Sequence, residues 1–423
     1  MTTQRDFAAD VVERLTGAGF SALWAGGCVR DELLGRTPKD YDIATNARPE
    51  QVREIFGRRR TLAVGESFGV IVVLGPKSAG QIEVATFRAD GEYLDGRRPE
   101  SVQFCSAEED AKRRDFTING MFFDPLKEQV LDYVGGQNDL KAGILRAIGD
   151  PVARMTEDKL RMLRAVRFAA TFDFALDEST ADAVRSMADQ ISVVSAERIA
   201  QELRRMLAHS NRDRAMQLCR DVELLLQILP ESEVILGDAE WSSTLTGLRR
   251  LGANGASDVE FPVAFALLLT SIATAQGHDG RQAARRCEEI GKRLKLSNRE
   301  IDHVVWILRH RDLLTCALQR SDAELKRVLS QPHGRDLIEV MRAWDEGCGR
   351  TPDDSEFCRA YLEKTPHAEL NPPPLLTGDD LISAGLRPGP QFKEILEAVR
   401  DAQLNGEIST HDAACELAKR LAR

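Results

Sequence analysis

The chain has 423 residues, of which 43% are hydrophobic and 29% are charged, and its formal net charge is -10. This length predicts about two to four domains, and the composition is typical of a soluble globular protein rather than a disordered or fibrous one. The acidic balance argues against a protein that coats nucleic acid through overall positive charge, but it is compatible with a local basic groove.

The first 150 residues alternate between short β-branched runs and helical segments. Strands are predicted at residues 22–25, 41–45, 70–74 and 82–87, and helices at 28–34 and 49–56. The Gly-Pro-Lys-Ser-Ala-Gly segment at 75–80 joins the last two strands as a hairpin. This pattern predicts a small α/β head built on a mixed or antiparallel sheet.

From residue 151 onward strand signals nearly vanish. Apolar residues recur at helical spacing in segments 156–170, 181–187, 196–208, 281–294, 299–314, 392–402 and 411–421. The apolar stretch 261–273 is too short to span a bilayer, so a buried helix is the better interpretation. The predicted fold class is therefore α+β, with an N-terminal head followed by an all-helical remainder.

The eight cysteines are scattered through the chain, and no two of them form a CxxC pair. A chain of this length does not need disulfides to stabilise it, so free thiols are favoured over disulfides or bound zinc. We therefore expect a cytoplasmic protein with no membrane partner.

Two glycines, Gly26 and Gly27, end the first predicted strand and precede a helix. Glycine lets the backbone approach a ligand closely, and a helix N-terminus offers unpaired N–H groups to phosphate. Arg30, one turn into the helix, could add a bidentate phosphate contact. The segment matches neither a Walker loop nor a dinucleotide fingerprint, so it is a candidate nucleotide-binding turn of another kind.

Asp40 and Asp42 are two residues apart on a predicted strand, so their side chains would share one face. Such a pair suits Mg²⁺, which prefers one or two carboxylates together with substrate phosphates, and hence in-line phosphoryl or nucleotidyl transfer. Glu83 is the only charge on its face of another strand and could supply a third carboxylate. The alternative is a solvated turn in which the aspartates have no ligand.

Two basic segments follow, and the first is Lys-Arg-Arg-Asp at residues 112–115. In the second, a charged stripe recurs every three residues of a predicted helix at Asp158, Arg161, Arg164 and Arg167. A surface helix with an Asp–Arg ion pair would explain this stripe. A functional explanation is that an aspartate and an arginine read the edge of a nucleobase, while the later arginines hold a triphosphate.

Several motifs occur together in one order: GGxVRD, DYD, the loop at 93–99, RRDFTINGM, EDxxRxLRxxRFAA and the Glu-Arg pair at 197–198. In this combination the sequence resembles the class II tRNA nucleotidyltransferase and bacterial poly(A) polymerase family, densely in its first half and more faintly beyond. The resemblance implies a catalytic head (1–150), a nucleotide-selecting neck (151–210), an RNA-binding body (211–370) and a tRNA-binding tail (371–423).

The resemblance also implies roles for individual residues. Asp40 and Asp42 would bind Mg²⁺ and activate the RNA 3′-hydroxyl, with Glu83 assisting. The residues implied to contact or enclose the nucleotide are Gly26, Gly27, Arg30, Arg114, Asp158, Arg161, Arg164 and Arg167. Among these, Asp158 and Arg161 would pair with the base of CTP or ATP.

The expected function is template-independent addition of CMP and AMP to the 3′ end of tRNA, which builds the CCA terminus from CTP and ATP; no DNA partner is expected. An A-adding enzyme or a poly(A) polymerase shares these motifs and is the nearest alternative. Residues 90–99 resemble the flexible loop that CC-only enzymes lack, which disfavours CC-only addition. A catalytically inactive RNA-binding protein is less consistent with the intact Asp40 and Asp42.

Three expectations concern residues outside these motifs. The His-Asp pairs at 278–279 and 411–412 lack the further ligands of a phosphohydrolase centre, and none of the seven histidines is predicted to belong to a metal-binding cluster. The four tryptophans are expected mostly in the core. Arginine-rich segments at 58–60, 112–114 and 154–167 predict a basic cleft on an acidic protein.

Overall fold

The structure is a computed structural model that describes residues 3–65, 69–90, 102–252, 258–383 and 389–422. Its internal contacts divide the chain into two compact units. The first unit comprises Met1–Glu202 with Gln217–Ile228, and the second comprises Leu203–Met216 with Leu229–Arg423. This division is coarser than the predicted head, neck, body and tail, whose boundaries stay a prediction.

The strands of the described residues are β1 (Ala22–Ala25), β2 (Asp42–Thr45), β3 (Thr61–Gly65), β4 (Val70–Leu74), β5 (Gln81–Thr86), β6 (Arg88–Asp90), β7 (Val102–Phe104), β8 (Phe122–Asp124), β9 (Gln129–Leu131), β10 (Ile144–Leu145) and β11 (Ala175–Leu176). Seven of them form one sheet in the order β3-β4-β5-β2-β1-β8-β9. Within this sheet β2 and β5 run parallel and the other neighbours run antiparallel. The predicted mixed sheet is confirmed.

Alternation of side chains explains how β5 sits in this sheet. Ile82, Val84 and Thr86 are buried, whereas Gln81 and Glu83 are exposed. The strand pairs antiparallel with β4 through the predicted hairpin and parallel with β2 on its other side. One face of β5 therefore packs into the core while Glu83 stays on the solvent face beside β2.

The helices that begin in the first part of the chain are α1 (Gln4–Gly17), α2 (Gly27–Leu33), α3 (Pro49–Phe56), α4 (Ala107–Lys112), α5 (Gly136–Ala142), α6 (Pro151–Glu157), α7 (Leu160–Phe172), α8 (Glu178–Ser186) and α9 (Ala196–Ala208). A buried cluster that includes Leu23, Phe87 and Phe122 forms part of the core beneath the sheet. Pro49 occupies the first turn of α3, where its missing N–H has no intrahelical partner to lose.

The prediction of one continuous helix at 156–170 is wrong. The helix α6 ends at Glu157, and α7 begins at Leu160. Asp158 between them is extended, with φ -146° and ψ 105°, and its Oδ1 accepts a hydrogen bond from the backbone N–H of Leu160 at 3.0 Å. A short acidic side chain that accepts from the backbone N–H two residues further on competes with continuation of the preceding helix.

The remaining helices are α10 (Arg212–Asp221), α11 (Leu224–Ile228), α12 (Asp238–Arg250), α13 (Phe261–Ala275), α14 (Gly280–Arg293), α15 (Asn298–Leu314), α16 (Asp322–Leu329), α17 (Gly334–Gly347), α18 (Asp353–Lys364), α19 (His367–Leu370), α20 (Gly378–Ser383), α21 (Gln391–Leu404) and α22 (His411–Leu421). The second unit is built around α13, which is buried from Phe261 to Ala273 and packs against α12, α14, α15 and α17. The predicted helical remainder is confirmed.

The tryptophans, the cysteines and the apolar helices can each be compared with the expectations from the sequence. Trp24, Trp241 and Trp344 are buried, whereas Trp306 is partly exposed. None of the eight cysteines has a disulfide partner. Within the described ranges, every helix is too short or too polar to cross a membrane.

Candidate active site

The first candidate element is the turn between β1 and α2. Gly26 has φ 71° and ψ -121°, a backbone conformation that residues with a Cβ rarely adopt. A Cβ at Gly26 would also lie 2.9 Å from Nη1 of Arg114 and 3.7 Å from the carbonyl oxygen of Asn119. The predicted glycine turn and helix are confirmed, and the backbone conformation at Gly26 favours glycine there.

Three acidic side chains gather beside this turn. Asp42 begins β2 and pairs in parallel register with Glu83 of β5, so the two side chains lie on the same face of the sheet. Asp40 lies in the segment before β2, so its predicted position within a strand is wrong. The negative charge of Asp40 nevertheless contributes to the raised pKa of Asp42.

The electrostatic environment of Asp42 reflects this crowding. Asp42 is partly exposed to solvent. Its pKa is nevertheless raised to about 6, and the largest cause is the loss of hydration to the surrounding protein. The negative charges of Asp40 and Glu83 raise the pKa further, and Arg114 acts in the opposite direction. Three carboxylates and one guanidinium therefore interact within a single site.

Arg114 reaches the glycine turn from the end of α4. Its Nε and Nη2 donate to Oδ2 of Asp110 at 3.2 and 3.0 Å, and its Nη1 donates to the carbonyl oxygen of Asn119 at 3.3 Å. Burial alone would raise the pKa of Asp110, but the charges of Arg114 and Arg113 outweigh it and lower the pKa. Asp110 is thus an ionised anchor that holds Arg114 against Gly26.

Arg30 lies one turn into α2 and is 7% exposed. Its Nη1 donates to Oδ1 of Asn119 at 2.6 Å, and its Nε and Nη2 donate to Oδ1 of Asp31 at 2.9 and 2.7 Å. The guanidinium also lies 4.3 Å from the ring centre of Phe172. These contacts fix Arg30 beside Gly27, where a Cβ would lie 3.6 Å from Nη2.

Asp158 is held by an arginine from α9. Nη1 of Arg198 donates to Oδ1 of Asp158 at 3.1 Å, and Nη2 donates to Oδ2 at 2.7 Å. Such a two-pronged contact fixes the plane of the carboxylate. Because Asp158 is not on α7, the prediction that it shares a helical stripe with Arg161, Arg164 and Arg167 is wrong.

Arg161 is buried at the start of α7 and contacts two backbone segments. Its Nη1 donates to the carbonyl oxygen of Arg154 at 3.0 Å and pairs with Glu157, and its Nη2 donates to the carbonyl oxygen of Arg113 at 3.3 Å. The Asp–Arg ion pair that would explain the stripe as a plain surface helix is thus replaced by these contacts. Arg161 therefore links the break after α6 to the segment that follows α4.

The last two arginines of the stripe are ion-paired. Nε of Arg164 donates to Oδ2 of Asp115 at 2.9 Å, and Arg167 pairs with the buried Glu202. Both guanidinium groups also lie near the ring of Phe168, at 5.2 and 4.0 Å from its centre. The side of α7 that carries them is thus part of the packed interior of the first unit.

Pairing changes the expected electrostatics of the site. The arginines of segments 112–114 and 154–167 that are described above each have an acidic partner or a buried carbonyl contact. Arg58–Arg60, in contrast, are exposed. The predicted basic cleft is therefore less positive than the count of arginines in the sequence suggests.

Sequence reasoning missed the acidic and amide side chains that position these arginines. Asp110 has a signal, because it lies four residues before Arg114 across the end of α4, a spacing at which opposite charges meet on a helix. Asn119 contacts both Arg30 and Arg114. Because Arg30 is far from Asn119 in the sequence, the contact between them is apparent only in the folded chain. The loop at 91–101, which carries most of the predicted loop at 90–99, lies outside the described residues.

The prediction that the histidines do not cluster is wrong. In the described part of the chain, the metal donor atoms of His303, His333 and Asp336 all lie within 4.8 Å of one another. No such group of three includes His278 or His411 over those same residues.

Two family models match parts of this chain. Residues 22–146 match the Poly A polymerase head domain, and residues 173–236 match the probable RNA and SrmB-binding site of polymerase A. A CCA-adding enzyme of Leuconostoc mesenteroides is 32% identical over 419 residues, covering 97% of this chain and 95% of the relative. Poly(A) polymerase I of Haemophilus influenzae is 39% identical over 241 residues, covering 53% and 52%.

Solved structures show the same fold over nearly the whole chain. A Bacillus stearothermophilus CCA-adding enzyme in complex with CTP aligns with a TM-score of 0.79 and 28% identity, covering 99% of this chain and 98% of that one. A Thermotoga maritima CCA-adding enzyme complexed with tRNA has the same fold, with a TM-score of 0.68, 19% identity and coverage of 98% and 94%.

The head and its sequence matches define a nucleotidyltransferase. The similarity extends over the full chain, and the protein belongs to the class II family of CCA-adding enzymes and bacterial poly(A) polymerases. Enzymes of this family are typically metal-dependent.

Proposed function

We propose that the protein adds CMP and AMP to the 3′ end of tRNA without a nucleic-acid template, and so builds or repairs the CCA terminus. The observation that carries the proposal is the pairing of Asp42 with Glu83 beside the Gly26 turn, in a chain 32% identical over 97% of its length to a CCA-adding enzyme. CTP and ATP would be the nucleotide substrates, and tRNA the acceptor. We also propose a cytoplasmic location, where both kinds of substrate are available.

The proposed reaction is an in-line attack of the terminal 3′-oxygen of the RNA on the α-phosphorus of the bound nucleotide. A phosphodiester bond forms as the bond from the α-phosphorus to the bridging oxygen breaks, and pyrophosphate leaves. The proton of the attacking hydroxyl leaves its oxygen in the same process. Positioning of the two reactants and stabilisation of negative charge supply most of the acceleration in such reactions.

The donor set of the carboxylate cluster fits Mg²⁺, which prefers hard oxygen ligands and is commonly bound by one or two carboxylates together with substrate phosphates. We propose that Asp40 and Asp42 hold the ion and that Glu83 assists from the neighbouring strand. Bound there, it would lower the pKa of the attacking hydroxyl and neutralise charge at the α-phosphate.

We propose that the phosphates of the nucleotide lie over the Gly26–Gly27 turn, beside Arg114 and Arg30. The Arg114 guanidinium lies beside this turn, 2.9 Å from where a Cβ of residue 26 would stand, which supports this arrangement. Because α2 has only seven residues, the two guanidinium groups, rather than a helix dipole, would carry most of the attraction. Both are already held in place by protein contacts, so little conformational freedom is lost when a phosphate binds.

For base selection we propose Asp158 and Arg161. Arg198 fixes the carboxylate of Asp158, whose remaining lone pairs can accept from the exocyclic amino group of cytosine or adenine. Arg161 would donate to the base after a small rearrangement away from its acidic neighbour. The ion pairs of Arg164 and Arg167 favour a supporting role, in which they shape the pocket rather than grip the triphosphate.

Base selection is tested with Arg198→Met. Without the guanidinium, Asp158 loses its fixed orientation, and we expect the ratio of kcat/KM for CTP and ATP over UTP and GTP to fall by about tenfold or more. The matched control is Arg185→Met, which removes an exposed ion pair with Asp182. Equal selectivity of the Arg198 variant and the control would contradict the assignment of Asp158.

The overall activity is tested with purified protein, Mg²⁺, labelled CTP and ATP, and a tRNA that lacks CCA. We expect incorporation of both nucleotides by the unmodified protein and none by Asp42→Asn. No incorporation by the unmodified protein would favour an inactive RNA-binding protein. Activity that survives in Asp42→Asn would contradict the metal assignment.

A second candidate function is A-addition or poly(A) synthesis. It is favoured by the 39% identity with a poly(A) polymerase over 241 residues. Long adenylate tails on any RNA 3′ end, together with no use of CTP, would identify this alternative.

A further inference from the structure

A cluster of imidazole and carboxylate groups lies between two helices of the second unit. His303, on α15, is 6% exposed, while His333 immediately precedes α17 and Asp336 lies in the first turn of that helix. Nε2 of His303 is hydrogen-bonded to Oδ2 of Asp336 at 2.9 Å, and Nδ1 of His333 lies 3.8 Å from the same oxygen. Three potential metal donors therefore converge from two helices.

The donor chemistry of this cluster differs from that of the carboxylate site. Imidazole nitrogen suits Zn²⁺ and neighbouring transition metals, whereas Mg²⁺ prefers oxygen alone. Ligands of a tetrahedral zinc ion lie about 2 Å from the metal and so about 3.3 Å from one another. Oδ2 of Asp336 lies 2.9 Å from Nε2 of His303 and 3.8 Å from Nδ1 of His333, one distance below that value and one above it.

The position of the cluster leaves room for a fourth ligand. His333 and Asp336 keep side-chain exposures of 35% and 37%, so a water can reach the group from that side. Glu260 is close enough for its charge to act on His333. Three protein ligands with water or a carboxylate in the fourth position form a common zinc arrangement.

One rearrangement is needed before a metal can bind. The rings of His303 and His333 are stacked, with centres 3.7 Å apart and planes 20° apart. Because the nitrogen lone pairs lie in the ring planes, stacked rings cannot both point at one ion. His303 is buried, so the partly exposed His333 ring is the one that must rotate.

We propose that His303, His333 and Asp336 bind one divalent transition-metal ion, with Zn²⁺ the best match, and that this ion ties α15 to α17. Binding displaces the hydrogen bond between His303 and Asp336, and any proton on the coordinating nitrogen is released. The site uses none of the carboxylates assigned to nucleotide transfer. It stabilises the helical unit and takes no part in the chemical step.

Co²⁺ reports the geometry of such a site through its visible absorption, which is intense for tetrahedral coordination and weak for an octahedral oxygen site. The experiment uses the full chain without a polyhistidine tag, in an Asp40→Asn/Asp42→Asn background that removes the carboxylate site. We expect one equivalent of Co²⁺ to give tetrahedral bands that Zn²⁺ abolishes. We also expect partial quenching of fluorescence from Trp306, whose ring centre lies 5.8 Å from that of His333.

His333→Gln and Asp336→Asn each remove one partly exposed ligand, and we expect each to weaken Co²⁺ binding by at least about tenfold. The matched control is His310→Gln, since His310 stacks on Trp306 at 4.4 Å but lies outside the cluster. Unchanged binding in the two ligand variants, or equal loss in the control, would overturn the proposal.

Thermal unfolding provides a second readout that does not depend on absorption. A metal that binds only the folded chain raises Tm, so Zn²⁺ should raise the Tm of the unmodified protein and of His310→Gln but not of His333→Gln. Melting curves without metal show whether each variant is folded. Absence of a Zn²⁺-dependent Tm shift in the unmodified protein would also overturn the proposal.

Discussion

The buried ion pair between Asp115 and Arg164 gives the sharpest quantitative prediction for the first unit. Asp115 is 8% exposed and accepts from Nε of Arg164 at 2.9 Å and from Nδ2 of Asn119 at 3.1 Å. Burial would raise its pKa, but Arg164 and the hydrogen bonds outweigh burial and lower the pKa from 3.8 to about 2. The perturbation is Arg164→Met, compared with Asp115→Asn and the double variant.

The magnitude follows from the pKa. One pKa unit corresponds to ~1.4 kcal/mol, so the lowering from 3.8 to about 2 means that ionised Asp115 contributes about 2–3 kcal/mol to stability near neutral pH. The folded-state pKa is lower than the ordinary one, so this contribution is present above about pH 4 and is lost as the pH falls toward about 2. Arg164→Met leaves a buried charge unpaired, for which we expect a loss of ~3–5 kcal/mol at pH 7.

Hydrogen exchange of the α7 amides measures the opening free energy of the first unit separately from the second. We expect Asp115→Asn to restore part of the stability lost in Arg164→Met, because it removes the unpaired charge. We also expect Arg164→Met to raise the KM for CTP and the double variant to restore part of it, because Arg164 is assigned a supporting role and does not itself contact the nucleotide. A double variant no more stable than Arg164→Met, or a coupling energy between the two substitutions below ~0.5 kcal/mol as for exposed pairs, would show that the ion pair does not stabilise the first unit in this way.

Two further predictions concern a backbone turn and a pH dependence. Gly26→Ala should raise the KM for nucleotide, because its Cβ would press on Arg114. The control is Gly35→Ala, since Gly35 has a similar φ of 68° but open space around it. That variant should lose only about 1 kcal/mol of stability and leave the KM unchanged. Hydrogen bonds from Arg204 and Ser297 lower the pKa of Glu300 to about 2, so its stabilisation should be present above about pH 4.5 and lost toward pH 2. When the free energy of unfolding is measured from about pH 5 to about pH 2, Glu300→Gln should not show that loss. The same loss in Glu300→Gln as in the unmodified protein would contradict the contribution of Glu300.

The parts of the structure predicted from sequence are those with local signals. The hairpin at 75–80 and the strands it joins follow from turn residues and alternation, and the Gly26 turn follows from a strand that ends in two glycines. Helices such as Ala196–Ala208 follow from apolar spacing. Each of these features is decided by residues within a few positions of one another.

The parts that could not be predicted depend on contacts between distant residues. Arg198 meets Asp158 across forty positions, and Glu202 meets Arg167 across thirty-five, so nothing in the local pattern shows that these charges are paired. The break at Asp158 depends on whether its side chain bonds to the backbone N–H of Leu160 or lies on the surface of a continuous helix. The apolar spacing fits both. His303 and His333 meet only because α15 and α17 pack together.

Addition of the full CCA terminus can be measured by omitting nucleotides in turn, with a purified tRNA that ends just before CCA. We expect CTP alone to add two residues and stop, CTP with ATP to add three in the order CCA, and ATP alone to add little. Repeated addition of adenylate from ATP alone, with CTP unused, would rule out CCA addition and assign the chain to the A-adding branch of its family.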